Sequence, residues 1–288
     1  MISHSLVERM EHHGLQGDAV VQLISTALAE DVVDGDKTSI AVIPESQESQ
    51  ATIRARKPGI VAGVCIAAAT FELVGVTEHT HLKWSGNSVL PGDAILTVEG
   101  NTRNILLGER VALNFLCHIS GVATLTSKWV AAVAGTGVTI RDTRKTTPGF
   151  RELEKFAVRT GGGMNHRMNL SDGAIIKDNH IAAAGSISKA VARVRTAFPE
   201  IEIEVEVDDL NQLKETLPLG VDVILLDNMS LEMTRQAVQI ANGSNTKLES
   251  SGGITLENAR AYAETGVHYL AIGALTHSAP ILDLGLDF

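Results

Sequence analysis

The sequence predicts an α/β protein: an incomplete (β/α) barrel of about six strands, preceded by an N-terminal α/β sandwich-like domain. Two observations carry this. Between residues 137 and 274 a short apolar run ending in a polar residue or glycine is followed by a helical stretch, six times over. Between residues 39 and 105 the texture is instead strand-like, broken by glycine and proline. Strands alternating with helices imply right-handed βαβ units and a parallel sheet. No Pro/Ser-rich linker separates the two textures, and the boundary is placed at 1–114 and 115–279.

Taken in order, "DAVVQLISTALAED" sets Val20, Leu23, Ile24, Ala27 and Leu28 on one helical face, with Asp18 as N-cap. "DVVDGDKTS" reads as turns. Strand-like segments follow in "ATIRARKPGIVAGV", "THLKWSGNSVLPGDAILTVEGNT" and "RNILLG", and a helical pattern returns from Gly108 to Ala134. The barrel runs are residues 137–145, 173–180, 201–207, 222–228, 246–253 and 268–274.

Composition narrows the function. The 288 residues carry a net charge of −10 and only 3% aromatics, which excludes a general nucleic-acid or anionic-membrane binder. The two cysteines, Cys65 and Cys117, sit in apolar surroundings and make neither a disulfide framework nor a metal motif. The N-terminus lacks the apolar core of a signal peptide, and the uncharged run Ile60–Phe71 is too short to span a bilayer. A soluble, cytoplasmic protein is expected.

In a barrel of this kind the active site lies at the C-terminal strand ends. Those ends read Arg144 and Lys145, Lys177, Glu206, Asp227, Glu249 with Ser251-Gly252-Gly253, and Gly273-Ala274. Residues 141–177 hold eight Lys/Arg against four Asp/Glu, a basic island in an acidic chain. Such an island concentrates and orients a polyanion, and arginine's planar fork suits carboxylates. Arg151, Lys155 and Arg159 have helical spacing and are read as a solvated face, whereas Arg144, Lys145, Arg167 and Lys177 are read as binding groups. Glu206 and Asp227 end consecutive strands; two carboxylates facing a phosphorylated ligand hold Mg²⁺ or sugar hydroxyls. Glu202 and Glu204 are placed outward. The glycine-rich final loops, with His277 one turn into the next helix, suit phosphate. Gly161–Gly163 mark a mobile or ligand-approaching loop, with His166 and Arg167 able to close on an anion.

The strings "TRKTTPGFRELEKFAVRTGGGMNHRMNLSDGAIIKDNHI", "EVEVDDLNQ", "ILLDNMS", "ESSGGIT" and "IGALTHSAPILDLGLDF" resemble the quinolinate phosphoribosyltransferase family. The likeness extends to "ALAEDVVDGDKTS" and "GERVALNFLCHISGVAT" and covers nearly the whole chain. Its departures are mild: Ser250 where alanine is commoner and Phe150 where leucine is usual. The resemblance implies that the ring nitrogen of quinolinate attacks C1 of phosphoribosyl pyrophosphate. Pyrophosphate leaves, the 2-carboxylate departs as CO₂, and nicotinate mononucleotide remains for NAD synthesis.

By the same resemblance Arg144, His166, Arg167 and Lys177 bind quinolinate, and Lys145 lies between it and the pyrophosphate. Arg110 reaches a neighbouring subunit's site, implying a homodimer or higher homo-oligomer. Glu206 and Asp227 lie near the ribose and Mg²⁺, and Lys145, Glu206 and Asp227 form the catalytic set. Ser251, Gly252, Gly253, Gly273, Ala274 and His277 bind phosphate. The final strand, within 280–288, returns to the N-terminal domain. The nearest competing activity is phosphoribosyl transfer to another acid such as nicotinate, without CO₂ release; a non-catalytic barrel binding phosphorylated metabolites has no use for the paired carboxylates.

Overall fold

The computed structural model describes residues 2–288, and the chain divides into two compact units. The first takes the chain through Ser127, with Glu152–Gly162 and Ser278–Phe288; the second is Lys128–Arg151 with Gly163–His277. The position expected for the boundary, 114/115, falls inside a single helix, Thr102–Ala132.

The first unit is built on a four-stranded antiparallel sheet. Its strands are β1 (Glu48–Ala55), β3 (Glu78–His81), β5 (Ala94–Asn101) and β12 (Leu284–Asp287), in the order β12-β1-β5-β3. Period-two alternation sets β1: Ala51, Ile53 and Ala55 are buried, and the residues between them are partly exposed. A two-stranded ribbon joins β2 (Gly59–Ile60) to β4 (Ser88–Val89). Helices α1 (His4–His12), α2 (Gly17–Asp31), α3 (Lys37–Val42), α4 (Val64–Leu73), most of α5 (Thr102–Ala132) and α6 (Arg151–Thr160) complete it.

Several expectations change here. Gln16, not Asp18, is the N-cap of α2; Asp18 lies in the first turn, where a carboxylate still favours the helix dipole. Helix α3 begins within the segment read as turns, because the Asp36 side chain accepts from the Thr38 and Ser39 N–H groups. Helix α4 interrupts the 39–105 stretch read as strand-like. Every residue from Val64 to Glu72 is buried, Thr70 and Glu72 included, so the segment has no solvent-facing stripe and shows no 3.6-residue period. "RNILLG" likewise belongs to α5 rather than to a strand. By length and composition alone α5 would cross a bilayer, yet 67% of its most apolar window is buried.

The second unit carries the barrel. Its strands are β6 (Thr139–Arg141), β7 (Ala174–Ile176), β8 (Ile203–Val207), β9 (Val223–Asp227), β10 (Lys247–Ser251) and β11 (Tyr269–Ala271), one for each sequence run. All pairings are parallel, in the order β6-β11-β10-β9-β8-β7. The ladder thus closes from β11 back to β6 and, among the described residues, stays open between β6 and β7. At that seam Met164 bridges to Arg141, and its N–H donates to the Ile140 carbonyl at 2.8 Å. Helices α7 (Asp178–Ala184), α8 (Ile187–Ala197), α9 (Leu210–Thr216), α10 (Leu231–Ala241), α11 (Leu256–Ala263) and the short α12 (Ala274–His277) follow the strands. Side-chain caps fix the strand-to-helix corners: Asp209 accepts from Asn211 and Gln212 N–H, and Ser230 from Met233 N–H.

Gly161 is a packing residue rather than part of a mobile loop. A Cβ there would lie 2.7 Å from Thr126 Cβ and overlap the Ala123 carbonyl, both in the same unit. Lys155 also departs from its reading as a solvated residue: it is 0% exposed, on the inner side of α6. Arg151 is tied down too, through Thr146 Oγ1 and the Met168 carbonyl. Arg159 alone of the three is exposed, donating to the His13 carbonyl.

Candidate active site

The six barrel strands deliver their C-terminal ends to one cavity of about 290 Å³. Arg144 and Lys145 come from beyond β6, Lys177 from beyond β7, Glu206 from β8, Asp227 from β9, Ser251 from β10 and Ala271 from β11. His166 and Arg167 enter from the seam loop. The structure therefore gathers eight of the expected residues around one hollow.

The cationic side is built to wait for an anion. Arg144 Nε and Arg167 Nε are buried, and neither has a hydrogen-bond partner among the described residues. Arg167 donates one hydrogen bond to the Gly173 carbonyl at 2.6 Å. Burial, and then the neighbouring Arg144 charge, lower its pKa, against a partial offset from Glu204 and Asp172. Lys177 is held at the β7–α7 corner, where its N–H donates to His180 Nδ1 at 3.1 Å, and its ammonium pairs with Glu206.

The acidic side combines Glu206 with Asp227. Asp227 is held by its successor, Asn228, whose amide donates to Asp227 Oδ2 at 2.8 Å. Asn228 sits at φ 53° in the left-handed region, and its N–H donates to the Ser251 carbonyl at 2.9 Å. Gly252, at φ +85°, faces it; a Cβ there would lie 2.6 Å from Asn228 Cγ. The glycine in "SSGG" is thus required by both conformation and close approach. Around the rim, Gly273 lies beside His277 and Lys145, a Cβ there falling 3.2 Å from His277 Nε2 and 3.3 Å from Lys145 Cδ. Thr276 Oγ1 donates to the Lys145 carbonyl at 2.7 Å, fixing the Lys145 loop against the β11–α12 corner. Arg110 belongs to the first unit, exposed on α5.

The floor holds Glu204, which the sequence reading places elsewhere, and Glu249, which it puts at a strand end without a role. Glu204 was placed outward, but period two puts it on the same inward face as Glu206, and it is 4% exposed. Its Oε2 accepts from His166 Nε2 at 2.7 Å. The Arg167 N–H donates to His166 Nδ1 at 2.8 Å, so the ring proton sits on Nε2. Glu249, 0% exposed, accepts from Arg141 Nη1 at 2.6 Å, and Arg141 stacks 4.6 Å over the Tyr269 ring. Buried Asp142 accepts from Asn165 Nδ2 and the His166 N–H, at 2.5 and 2.8 Å, and so anchors the seam loop. The signal available for Glu204 and Glu249 was their spacing of two from Glu206 and Ser251.

A parallel, six-stranded open barrel with cations, paired carboxylates and glycine loops at its strand ends defines an enzyme that handles a phosphorylated substrate and an anionic partner. Family models for the quinolinate phosphoribosyl transferase C-terminal and N-terminal domains match residues 122–287 and 36–120. The chain is 49% identical over 276 residues to a carboxylating nicotinate-nucleotide pyrophosphorylase of Mycobacterium leprae, covering 94% of this chain and 97% of that one. A probable enzyme of the same name from Bacillus subtilis is 42% identical, with 92% of each chain covered. The solved nicotinate-nucleotide pyrophosphorylase of Francisella tularensis superposes with a TM-score of 0.88 at 37% identity, over 94% of this chain and 96% of that one. The chain belongs to the quinolinate phosphoribosyltransferase family, and it is a phosphoribosyltransferase.

Proposed function

We propose that this enzyme transfers the phosphoribosyl group of phosphoribosyl pyrophosphate to quinolinate and releases pyrophosphate, CO₂ and nicotinate mononucleotide, a step of NAD biosynthesis. One observation carries the assignment beyond the family: two adjacent, half-buried arginines whose Nε groups have no partner among the described residues, facing a cavity shared with two lysines. Two close guanidinium groups with buried, unpaired Nε donors are costly unless a ligand supplies acceptors. A pyridine with adjacent carboxylates does so with two planar forks.

In this reading Arg144, Arg167 and Lys177 hold the carboxylates, with the His166 ring as the wall beside them. Lys145 lies between quinolinate and pyrophosphate. Ser251, Gly252, Gly253, Gly273, Ala274 and His277 receive the phosphates. As pyrophosphate leaves, positive charge grows on the ribose, and the carboxylates of Glu206 and Asp227 stabilise it. The same pair supplies hard oxygen ligands suited to Mg²⁺, which usually takes one or two carboxylates together with substrate phosphates. Bound Mg²⁺ would neutralise the leaving pyrophosphate. Arg110, exposed on α5, completes the site of a neighbouring subunit, which makes the working unit a homodimer or larger. Two buried free thiols, Cys65 and Cys117, suit a cytoplasmic location.

The test is an assay with phosphoribosyl pyrophosphate, Mg²⁺ and either quinolinate or nicotinate. Stoichiometric CO₂ and nicotinate mononucleotide from quinolinate alone, abolished by chelating Mg²⁺, is the expected outcome. Turnover with nicotinate alone would refute the substrate, and undiminished turnover after chelation would refute the metal.

A further inference from the structure

Loss of the 2-carboxylate leaves an electron pair on C2 of the pyridine ring, and that pair must take up a proton. The rim of the cavity is lined by cations and carboxylates that engage the substrates, so a proton source is best sought at the floor. There Glu249 is 0% exposed, lines the cavity, and has an Oε1 with no hydrogen-bond partner among the described residues. His166 Nε2 lies 3.8 Å from that oxygen. The ligand atoms of His166, Glu204 and Glu249 all fall within 4.8 Å of one another. This trio has metal-ligating chemistry, but Arg141 already supplies the cation, bonded to Glu249 Oε2.

The cluster also has a second outlet. His166 and Arg167 line a separate hollow of about 340 Å³ at the seam of the barrel, together with Glu202, Glu204 and Asp172. His166 thus stands between the substrate cavity and a polar cavity that water can fill.

We propose that Glu249, recharged by water from the seam cavity beside His166, delivers the proton that replaces the departing carboxylate. The inference rests on the quinolinate reading above. As the bond from C2 to the carboxyl carbon breaks and CO₂ leaves, the electron pair left on C2 beside the cationic ring nitrogen takes the proton of the Glu249 carboxyl group in the same step. Glu249 becomes a carboxylate, and a proton from seam-cavity water entering beside His166 restores the acid. Glu249 suits the task because burial first, and then Glu204, push its pKa up to about 7, so the proton is both present and transferable near neutrality. The groups facing it are Arg141 from β6, His166 from the seam loop and Glu204 from β8. Its register partners are apolar Leu225 on β9 and Tyr269 on β11, and across the cavity lie Arg144, Lys145, Arg167, Lys177, Glu206 and Asp227.

The test separates two products of one turnover. Single-turnover experiments with quinolinate, phosphoribosyl pyrophosphate and Mg²⁺ would time pyrophosphate and CO₂ independently and identify the nucleotide formed. The wild-type enzyme should release the two together. Glu249→Gln keeps an acceptor for Arg141 but has no acidic proton; CO₂ should trail pyrophosphate at least tenfold, and the dicarboxylated mononucleotide should accumulate. Glu249→Asp should restore part of the coupling. Should the Gln variant not fold, the wild type carries the test alone: CO₂ release should fall behind pyrophosphate release as pH rises above neutrality. Equal losses of both products, no loss of either, or a coupling that ignores pH would overturn the proposal. A wild-type enzyme that forms no CO₂ from quinolinate would instead sink the substrate assignment and leave Glu249 without a role.

Discussion

Replacing Gly252 with alanine should damage both stability and the acidic side of the site, and the size of each effect follows from the local geometry. At φ +85° an L residue costs about 1–2 kcal/mol. The new Cβ would also lie 2.6 Å from Asn228 Cγ and 3.1 Å from its backbone nitrogen, so the Asn228 side chain must move. Overpacking of this kind costs about 1–3 kcal/mol, for a total of about 2–5 kcal/mol. The displaced amide no longer donates to Asp227 Oδ2. A hydrogen bond to a charged group contributes about 1.5–3 kcal/mol, which becomes about 10- to 100-fold in kcat/KM for phosphoribosyl pyrophosphate. Asn228→Gly removes the obstruction and tolerates φ 53° without strain. In urea denaturation the double variant should therefore recover about 1–3 kcal/mol relative to the sum of the single changes. Costs that add within about 0.5 kcal/mol would show that the two residues do not compete for space and would refute the argument.

Two further outcomes follow from the site. Arg144→Ala should weaken quinolinate binding by about 2–5 kcal/mol while leaving the thermal transition of the protein in place, as measured by calorimetric titration and circular dichroism; an unfolded variant would mean that Arg144 serves the fold instead. Glu249, with a folded-state pKa of about 7 against 4.5 for the free group, holds its proton more tightly in the folded than in the unfolded chain. Its stabilising contribution is complete below about pH 4.5 and is lost as pH rises through about 7, by up to about 3 kcal/mol. Urea titrations of the wild type and Glu249→Gln at pH 5 and pH 8 should diverge in that sense, and parallel pH dependence in the two proteins would contradict it.

The sequence by itself determined the barrel and most of its rim. A parallel strand followed by a helix leaves a local imprint, a short apolar run with a polar end, and all six runs became strands. Because the fold places every such end on one face, Arg144, Lys177, Glu206, Asp227 and Ser251 could be assigned to a common site from position in the run alone. One source of misreading is a segment without a period. Helix α4 is buried on every side, so its sequence has no polar face to mark the turn of a helix. Lys155 follows helical spacing and was read as solvated, because a periodic pattern reports which residues share a face and not what covers it.

Only the tertiary structure decided the floor of the site. Arg141, Glu204 and Glu249 come from three mutually non-adjacent strands and His166 from a loop; strand spacing gives the facing of each, but not that they pair with one another. Their pairing depends on the register of β6, β8 and β10 around a barrel that is open at one seam. The same closure leaves two arginines with bare Nε groups and pushes a carboxyl group toward neutral pKa. Charge can be counted from a sequence, but desolvation and the distance between charges exist only once the strands have closed.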